Sequence, residues 1–223
     1  MTDIYSDLKF PPPHADRPYV CINMVTTIDG KTVSGHRSES VQDLGSDVDH
    51  TLMRRIEDQV DSVIVGATTL RAASKKWDPG TRFRIVVSHQ GGFDYSIPFF
   101  QSGGESYVAG SESAPVQPEQ GVQRLAAGSK EVDFALLLKK LREMGAQHLL
   151  CFGGSELNAQ LLAKDLVDEL FLTMAPKVKL GRDIPTYAGG DPLPRDKMLL
   201  FHLFEHHVVQ DEVFLRYRRR SPA

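Results

Sequence analysis

The stretch L-L-C-F-G-G-S-E-L-N, residues 149–158, indicates the fold class of this 223-residue chain. An apolar run predicts a buried strand, a glycine pair follows it, and a helix is expected to begin at about Ser155. Glycines at such a turn let a ligand touch the backbone, and the first amides of the helix point outward with a favourable dipole. These features are typical of a phosphate or pyrophosphate site, although a plain strand-to-helix turn capped by Ser155 fits the same residues.

Strand and helix patterns alternate on both sides of this stretch. We expect strands at residues 19–25, 62–65, 83–87, 107–109, 148–152 and 170–175, and helices at 46–60, 134–141 and 157–164. Ser46 and Asp133 are the expected N-caps, and Asp49 completes a capping-box pattern with Ser46. Two final strands, 199–209 and 212–218, form an antiparallel hairpin. The sequence therefore predicts an α/β fold in which helices flank a mixed, mostly parallel central sheet with a C-terminal antiparallel hairpin.

A proline-rich segment precedes this pattern. Pro11, Pro12 and Pro13 favour extended geometry, so residues 1–18 are expected to form an extended N-terminal arm on the surface or on a partner subunit. Residues 19–223 contain no long polar linker and no internal repeat, and one domain is expected there. Because the terminal hairpin offers a strand edge that must be covered, a homodimer is expected.

Composition excludes several classes of protein. Hydrophobic residues make up 41% and charged residues 25% of the chain, as in soluble globular proteins. The net charge of −3 gives no reason to expect nucleic acid or a membrane as a partner. No apolar run is long enough to span a bilayer, and the first residues lack the apolar core of a signal peptide. Cys21 and Cys151 lie far apart in apolar runs, so we expect reduced thiols in a cytoplasmic protein.

Two further segments place polar groups at or near the ends of strands. In V-G-A-T-T-L, residues 65–70, Thr68 and Thr69 either bind a ligand or cap a short helix. In N-M-V-T-T-I-D-G, residues 23–30, Asn23 lies within an apolar strand, where its amide needs a partner from the protein or from a ligand. The usual motifs of serine hydrolases and zinc proteases are absent from the sequence.

The remaining polar clusters are expected to be structural. His202, His206 and His207 fall on different faces of a strand, so we expect no metal site there. The basic C-terminal end is expected to be solvated; it contains Arg216, Arg218, Arg219 and Arg220.

Four segments, taken in order and spacing, resemble the reductase family of riboflavin biosynthesis. They are R-P-Y-V-C-I-N-M-V-T-T-I-D-G-K, V-D-S-V-I-V-G-A-T-T-L, R-I-V-V-S, and F-G-G-S-E-L-N followed by L-V-D-E-L-F-L-T-M-A-P-K-V-K-L-G. The family includes the C-terminal half of a bifunctional deaminase-reductase and stand-alone reductases, and it shares the dihydrofolate-reductase-like fold. The deaminase half would need an H-x-E…P-C-x-x-C zinc motif, which is absent, so the chain resembles the stand-alone form.

This resemblance implies a reaction and a cofactor. The expected activity is that of an NADPH-dependent reductase resembling 5-amino-6-(5-phosphoribosylamino)uracil reductase, with a pyrimidine-type small molecule as substrate. Hydride is expected to pass from the nicotinamide to the ribose C1, which opens the sugar to a ribityl chain. The alternatives are a reductase of the same fold for another small carbonyl, imine or pterin-like compound, or a non-catalytic nucleotide-binding subunit.

The resemblance also implies roles for individual residues. Asn23 matches the catalytic, substrate-facing position, and Ser38 or Ser40 matches a substrate-binding serine, with Ser40 preferred. Thr26 and Thr68 match positions near the nicotinamide half of the cofactor. The pyrophosphate loop corresponds to Gly153, Gly154, Ser155, Glu156, Leu157 and Asn158. Ser88 matches a contact to the adenosine 2′-phosphate, and Arg82 and Arg84 are expected to add guanidinium donors beside it.

Three departures from the family pattern lie on the substrate side. Phe152 replaces a glutamate before the glycine pair, Glu57 replaces an arginine for the substrate phosphate, and residues 71–73 replace an acidic pair and a proline. Arg54 lies one helical turn before Glu57, so it either pairs with Glu57 or binds the substrate phosphate in its place. A substrate without a phosphate at this end is the other explanation, and the sequence favours it weakly because Phe152 also removes a polar group.

Overall fold

One nine-stranded sheet dominates the computed structural model, which describes residues 3–35 and 43–220. The strands are β1 Tyr19–Thr27, β2 Ser62–Gly66, β3 Phe83–Val87, β4 Glu105–Gly110, β5 Gln123–Ala126, β6 His148–Cys151, β7 Glu169–Ala175, β8 Phe201–Val209 and β9 Glu212–Arg219. Their order is β5-β4-β3-β2-β6-β1-β7-β9-β8. Strands β1 to β7 pair in parallel, and β9 is antiparallel to both β7 and β8. The predicted mixed, mostly parallel sheet with a C-terminal hairpin is therefore confirmed.

Helices cover both faces of this sheet. They are α1 Asp47–Glu57, α2 Ala67–Ala72, α3 Pro98–Gln101, α4 Phe134–Glu143 and α5 Ser155–Ala163, with a short 3₁₀ turn at Arg195–Lys197. Apolar side chains of β1 alternate between the two faces: Cys21 packs with α1 and α3, whereas Val20 and Ile22 pack with α4 and α5. No helix in the described part of the chain is long and apolar enough to cross a membrane.

The N-cap of α1 differs in part from the prediction. The Ser46 hydroxyl accepts the amides of Val48 and Asp49, as predicted. The Asp49 side chain does not close the capping box, because the backbone amide of Ser46 donates to the Glu212 carboxylate at 3.0 Å. The Asp49 carboxyl instead bonds Thr173 of β7, and burial raises its pKa. Contacts of the α1 N-terminus with β7 and β9 thus replace the local capping-box bond that sequence spacing favours.

The basic C-terminal strand is not solvated as expected. Arg216 is buried and pairs with the fully buried Glu169 of β7 at 3.0 Å, while Arg218 bonds the other oxygen of that carboxylate. Arg219 pairs with Asp165 at 2.5 Å. The reason is the sheet order, since β9 lies inside the sheet between β7 and β8. The Glu169 charge is buried and needs these partners.

The N-terminal segment before β1 has no helix or strand among residues 3–18, but it is packed on its own chain. Ile4, Tyr5 and Leu8 are buried in the α1-side core, and the Tyr5 ring meets Phe171 edge-on at 5.4 Å. Arg17 makes two hydrogen bonds to Asp168, at 2.6 and 2.9 Å. Its apolar residues thus belong to the core of the domain that follows.

Two short elements were not predicted. Helix α3 lies within residues 91–120, a segment rich in Gly, Ser and Pro whose composition suggests loops, and strand β5 follows directly after it. Both are four residues long, which is too short for periodicity to show in the sequence.

Candidate active site

The glycine pair after β6 and the glycine at the end of β2 form one surface at the carboxyl edge of the sheet. The Gly66 amide donates to the Gly153 carbonyl at 2.6 Å. A Cβ atom on Gly66 would lie 3.2 Å from the Gly154 nitrogen, which is closer than most such contacts. The two loops meet because both positions lack side chains. Two segments found separately in the sequence therefore make one backbone platform, called here the glycine platform (Gly66, Gly153 and Gly154).

Helix α5 begins directly on this platform. Gly154 is its N-cap, and no side chain caps the helix, so the reading of Ser155 as the cap is wrong. The amide of Asn158 donates to the Gly154 carbonyl at 3.0 Å, which is the first bond of the helix. The amides of residues 155–157 precede that bond and are available to a ligand. The phosphate-binding interpretation of this turn has the backbone groups that it requires.

Two threonine hydroxyls lie beside the platform. Thr68 is exposed and Thr69 is half-buried, and both are in the first turn of α2, which is N-capped by Gly66 without a side-chain bond. The reading of these threonines as helix caps is therefore wrong. A Cβ atom on Gly154 would lie 2.8 Å from the Thr69 hydroxyl oxygen. The Thr69 hydroxyl therefore faces Gly154, although the family resemblance implies no role for this residue.

Asn23 and Thr26 lie on opposite faces of β1. Asn23 pairs in register with Phe171 and shares the α1 face with it, while Thr26 shares the α5 face with Met24. The Asn23 side chain is partly exposed and makes no hydrogen bond to any residue in 3–35 or 43–220. A polar amide in that setting is open to a ligand.

Of the last four residues assigned to the glycine loop, two line a cleft and two are buried inside the protein. Ser155 and Glu156 line a cleft of about 560 Å³, together with Lys31, Arg182, Thr186 and Gly189. Leu157 and Asn158 are buried beneath the loop. Sequence reasoning missed Lys31 and Arg182, because they lie in loops without a phosphate-binding pattern.

The Asn158 side chain is used entirely inside the protein. Its Nδ2 donates to the Tyr187 carbonyl at 2.7 Å, and its Oδ1 accepts from the Cys151 thiol at 3.3 Å. Burial raises the pKa of Cys151 to about 12, so the thiol stays protonated and can donate. The structure thus places Asn158 as a residue that holds the loop rather than as one whose side chain reaches a ligand.

Ser88 directly follows β3, and its hydroxyl organises the next turn. It accepts the amides of Gln90 and Gly91 at 3.3 and 2.9 Å. Arg82 and Arg84 do not join it, because both lie toward the amino end of β3. Arg84 is fully buried and donates to the Ser102 carbonyl at 2.8 Å, while Arg82 stacks on the Phe83 ring. The expected guanidinium donors are therefore not at this position.

Two of the three substrate-side departures, Glu57 and Phe152, are connected in space through Trp77. The Glu57 carboxylate is 2% exposed, accepts from Arg54 at 2.8 Å and from the Trp77 indole N–H at 3.3 Å, and burial raises its pKa to about 7. The Trp77 ring meets Phe152 edge-on with centroids 5.1 Å apart. Of the two expectations for Arg54, pairing with Glu57 is the one observed. Arg54 lies in the last turn of α1, which returns to the amino end of β2, so the structure does not bring it to the glycine platform.

Ser38 and Ser40 lie outside the described residues. Their suggested contact with the substrate therefore stays a prediction from the family resemblance.

Comparison with known proteins identifies the family. The model described as the RibD C-terminal domain matches residues 18–215. A 2,5-diamino-6-ribosylamino-4(3H)-pyrimidinone 5′-phosphate reductase of Methanothermobacter thermautotrophicus is 29% identical over 216 residues, which cover 90% of this chain and 98% of the relative. A reductase of the same name from Aquifex aeolicus is 26% identical over 208 residues, covering 87% of this chain and 93% of that one.

A solved structure supports the same assignment at the level of the fold. RibD of Acinetobacter baumannii superimposes with a TM-score of 0.73 at 17% identity, covering 93% of this chain and 59% of that one. This likeness confirms the dihydrofolate-reductase-like fold. Because the family model spans most of the sequence, the chain belongs to the RibD C-terminal domain family.

Proposed function

We propose that this protein is an NADPH-dependent reductase of a ribosylamino-pyrimidine 5′-phosphate, acting in riboflavin biosynthesis. The observation that carries the proposal is the 2.6 Å hydrogen bond between Gly66 and Gly153, which joins two loops into one backbone surface suited to a phosphate. Strand β1, which carries Asn23, pairs with β6, the strand that leads into this surface. Relatives that align over nearly their whole length bear the name of such reductases. The 2,5-diamino-pyrimidinone form in their name is the first substrate to assay.

The residues present suit a nicotinamide dinucleotide. The pyrophosphate would be held by the α5 amides of residues 155–157 and by the hydroxyls of Thr68 and Thr69, on a surface that a Cβ atom at Gly66 or Gly154 would crowd. The role proposed for Thr68 therefore differs from the contact with the nicotinamide half that the family resemblance implies. Thr26 lies on the α5 face of the adjacent strand, where the nicotinamide half is proposed to contact it. When bound, the cofactor supplies the hydride, so the protein needs no strong nucleophile of its own.

The protein itself would orient the substrate. In this proposal, the Asn23 amide donates to and accepts from polar groups of the ribosylamino unit and keeps C1 in line for reduction. Phe152 and Trp77 provide an apolar boundary on the same face of the sheet as Asn23. Correct orientation in a site with little water accounts for a large part of such a rate enhancement.

The direct test is consumption of NADPH by the purified protein with the diamino-pyrimidinone phosphate and with its 5-amino-uracil counterpart. Formation of a ribityl product is checked by mass spectrometry, which reports a gain of two hydrogens. Turnover of either substrate supports the proposal. NADPH binding without turnover of any substrate would support a non-catalytic nucleotide-binding subunit instead.

A second candidate is a reductase of the same fold whose substrate lacks the phosphate. The contact between Phe152 and Trp77 favours it, because Phe152 replaces the glutamate of the family pattern and packs against a second aromatic ring. Comparing kcat/KM for the phosphorylated and dephosphorylated substrate distinguishes the two candidates.

We also propose that the protein is a homodimer in the cytoplasm. Strand β8 lies at the edge of the sheet and exposes Leu203, Phe204 and Val208, the last with 65% of its surface accessible. An exposed apolar edge strand is a surface that proteins usually cover. Light scattering after size exclusion tests the dimer, and a charged substitution at Val208 is expected to weaken it.

A further inference from the structure

Arg71 supplies a guanidinium to the turn that follows Ser88. It lies in α2, and its Nη2 donates to the Gly91 carbonyl at 2.5 Å. The guanidinium carbon also lies 4.7 Å from the centre of the Phe93 ring. Both contacts come from the segment that follows β3, and together they fix the plane of the group. The side chain remains exposed, so the rest of its edge faces solvent.

The turn that holds Arg71 is organised by Ser88. The Ser88 hydroxyl oxygen accepts the Gln90 and Gly91 amides, and its own proton donates to no residue in the described ranges. The carbonyl that binds Arg71 belongs to Gly91, whose amide binds Ser88. One residue thus links a free hydroxyl donor to a fixed guanidinium. A hydroxyl and a guanidinium held by the same turn are donors of the kind that recognise a phosphate monoester.

We propose that Arg71, together with Ser88, binds the 2′-phosphate of the cofactor and makes the protein prefer NADPH to NADH. This inference rests on the proposed function, because it takes a nicotinamide dinucleotide as the cofactor. Arg71 is three residues after Thr68 on the same short helix, so one helix carries a pyrophosphate contact and the 2′-phosphate contact. Three residues correspond to roughly 5 Å along a helix axis, which keeps both groups within the length of one nucleotide.

The arginines nearest to Ser88 in sequence, Arg82 and Arg84, cannot bind a 2′-phosphate together with Ser88. Arg84 is fully buried and bonded to backbone carbonyls, and Arg82 lies before β3, at the other end of that strand. The sequence separation of Arg71 from Gly91 is twenty residues, so only the fold brings them together.

The test compares two fragments that differ only in the 2′-phosphate. Adenosine 2′,5′-bisphosphate and 5′-AMP are titrated into the wild type, Arg71→Ala, Arg71→Lys and Arg82→Ala by calorimetry. We expect the wild type to bind the bisphosphate at least about tenfold more tightly, as charge-assisted hydrogen bonds usually provide. Arg71→Ala should lose most of this preference, and Arg71→Lys should keep part of it. Arg82→Ala, which removes an exposed arginine from the other end of β3, should keep all of it.

Several results would overturn the inference. An equal loss of affinity for both fragments in Arg71→Ala would mean that Arg71 only shapes the turn. Equal binding of both fragments by an active wild-type reductase would remove the 2′-phosphate site while leaving the proposed function intact. Failure of the wild type to bind either fragment, together with no NADPH turnover, would contradict the proposed function itself. If Arg71→Ala does not fold, Arg71→Lys takes its place. A preference for the bisphosphate over 5′-AMP that equals that of the wild type would then contradict a role for the guanidinium geometry of Arg71.

Discussion

The indole N–H of Trp77 lies 3.3 Å from the carboxylate Oε1 of Glu57. Trp77 is the one tryptophan of the chain, and its ring packs against Phe152, the residue before the glycine platform. Glu57 is almost completely buried, with Arg54 as its ionic partner. The fluorescence of a single side chain therefore reports both on this buried carboxylate and on the boundary of the site.

The first prediction concerns stability and pH. Burial raises the Glu57 pKa from 4.5 to about 7, so between these values the folded protein holds a proton that the unfolded chain has released. Stability from this group is therefore full below about pH 4.5 and is lost as pH rises through 7. Glu57→Gln cannot ionise, and we expect it to gain on the wild type by up to about 3 kcal/mol of unfolding free energy above pH 7.

Urea unfolding followed by Trp77 fluorescence at pH 5 and pH 8 measures this difference. The control is Glu105→Gln, which changes a half-exposed carboxylate paired with Arg82 and should show no comparable dependence on pH. The idea fails if Glu57→Gln and the wild type lose stability in parallel between the two pH values.

The second prediction separates the two glycines of the platform. Gly154 has φ −82°, which alanine adopts freely, but its Cβ would lie 2.8 Å from the Thr69 hydroxyl. We expect Gly154→Ala to weaken NADPH binding about tenfold or more with little change in Tm, since the strain falls on a ligand-facing hydroxyl. Gly153 has φ +77° and faces Met24, so Gly153→Ala should lower Tm by several degrees.

Calorimetric binding of NADPH and a thermal melt on the same samples check both parts. A collapse of Tm in Gly154→Ala with normal binding by the folded fraction would show that this turn is structural. Positive φ restricts Gly153, whereas Gly154 is restricted by the nearby Thr69 hydroxyl.

The third prediction contrasts two asparagines. Asn23→Ala should reduce kcat about tenfold or more with little change in NADPH affinity or Tm, because its amide has no partner in the described chain and is left for the substrate. Asn158→Ala should instead lower Tm and leave kcat of the folded protein little changed. It removes the donor to the Tyr187 carbonyl and the acceptor of the Cys151 thiol proton, at a cost of about 1–3 kcal/mol of stability. Unchanged turnover in Asn23→Ala would remove this residue from the site.

Much of this molecule is readable from local patterns. The long strands, the Ser46 and Asp133 caps and the closing hairpin follow from side-chain periodicity and capping chemistry, which act over a few residues. The sequence also identified both loops of the glycine platform separately. Their union is not local, since the hydrogen bond from Gly66 to Gly153 depends on β2 lying beside β6.

The errors have the same physical origin. Arg84 looks like a ligand donor by its closeness to Ser88 in sequence, but the alternation and direction of β3 bury it at the other end. Arg71 looked like a departure from a family pattern, yet the fold brings it to Gly91. Arg216 looked like part of a solvated terminus, but the sheet order pairs it with Glu169. The position and exposure of each of these residues depend on a partner that is distant in the sequence.

The last prediction concerns Arg54 and the substrate phosphate. The guanidinium lies in the last turn of α1 and donates to the Glu57 carboxylate and to the Asp78 carbonyl. We therefore expect Arg54→Ala to leave the ratio of kcat/KM for phosphorylated and dephosphorylated substrate within about twofold of the wild-type ratio. A real phosphate contact would instead contribute about tenfold or more.

The same variant should have a separate effect that confirms where Arg54 acts. Its charge lowers the Glu57 pKa against the effect of burial, so its removal should raise that pKa further. The measurement is the midpoint of the Trp77 fluorescence change with pH, which we expect to move upward in Arg54→Ala and to stay in place in Arg82→Ala. A tenfold loss of phosphate preference with an unmoved midpoint would identify Arg54 as a substrate anchor and contradict the pairing described here. An upward midpoint with an unchanged preference places the role of Arg54 in holding Glu57 and, through it, the ring of Trp77.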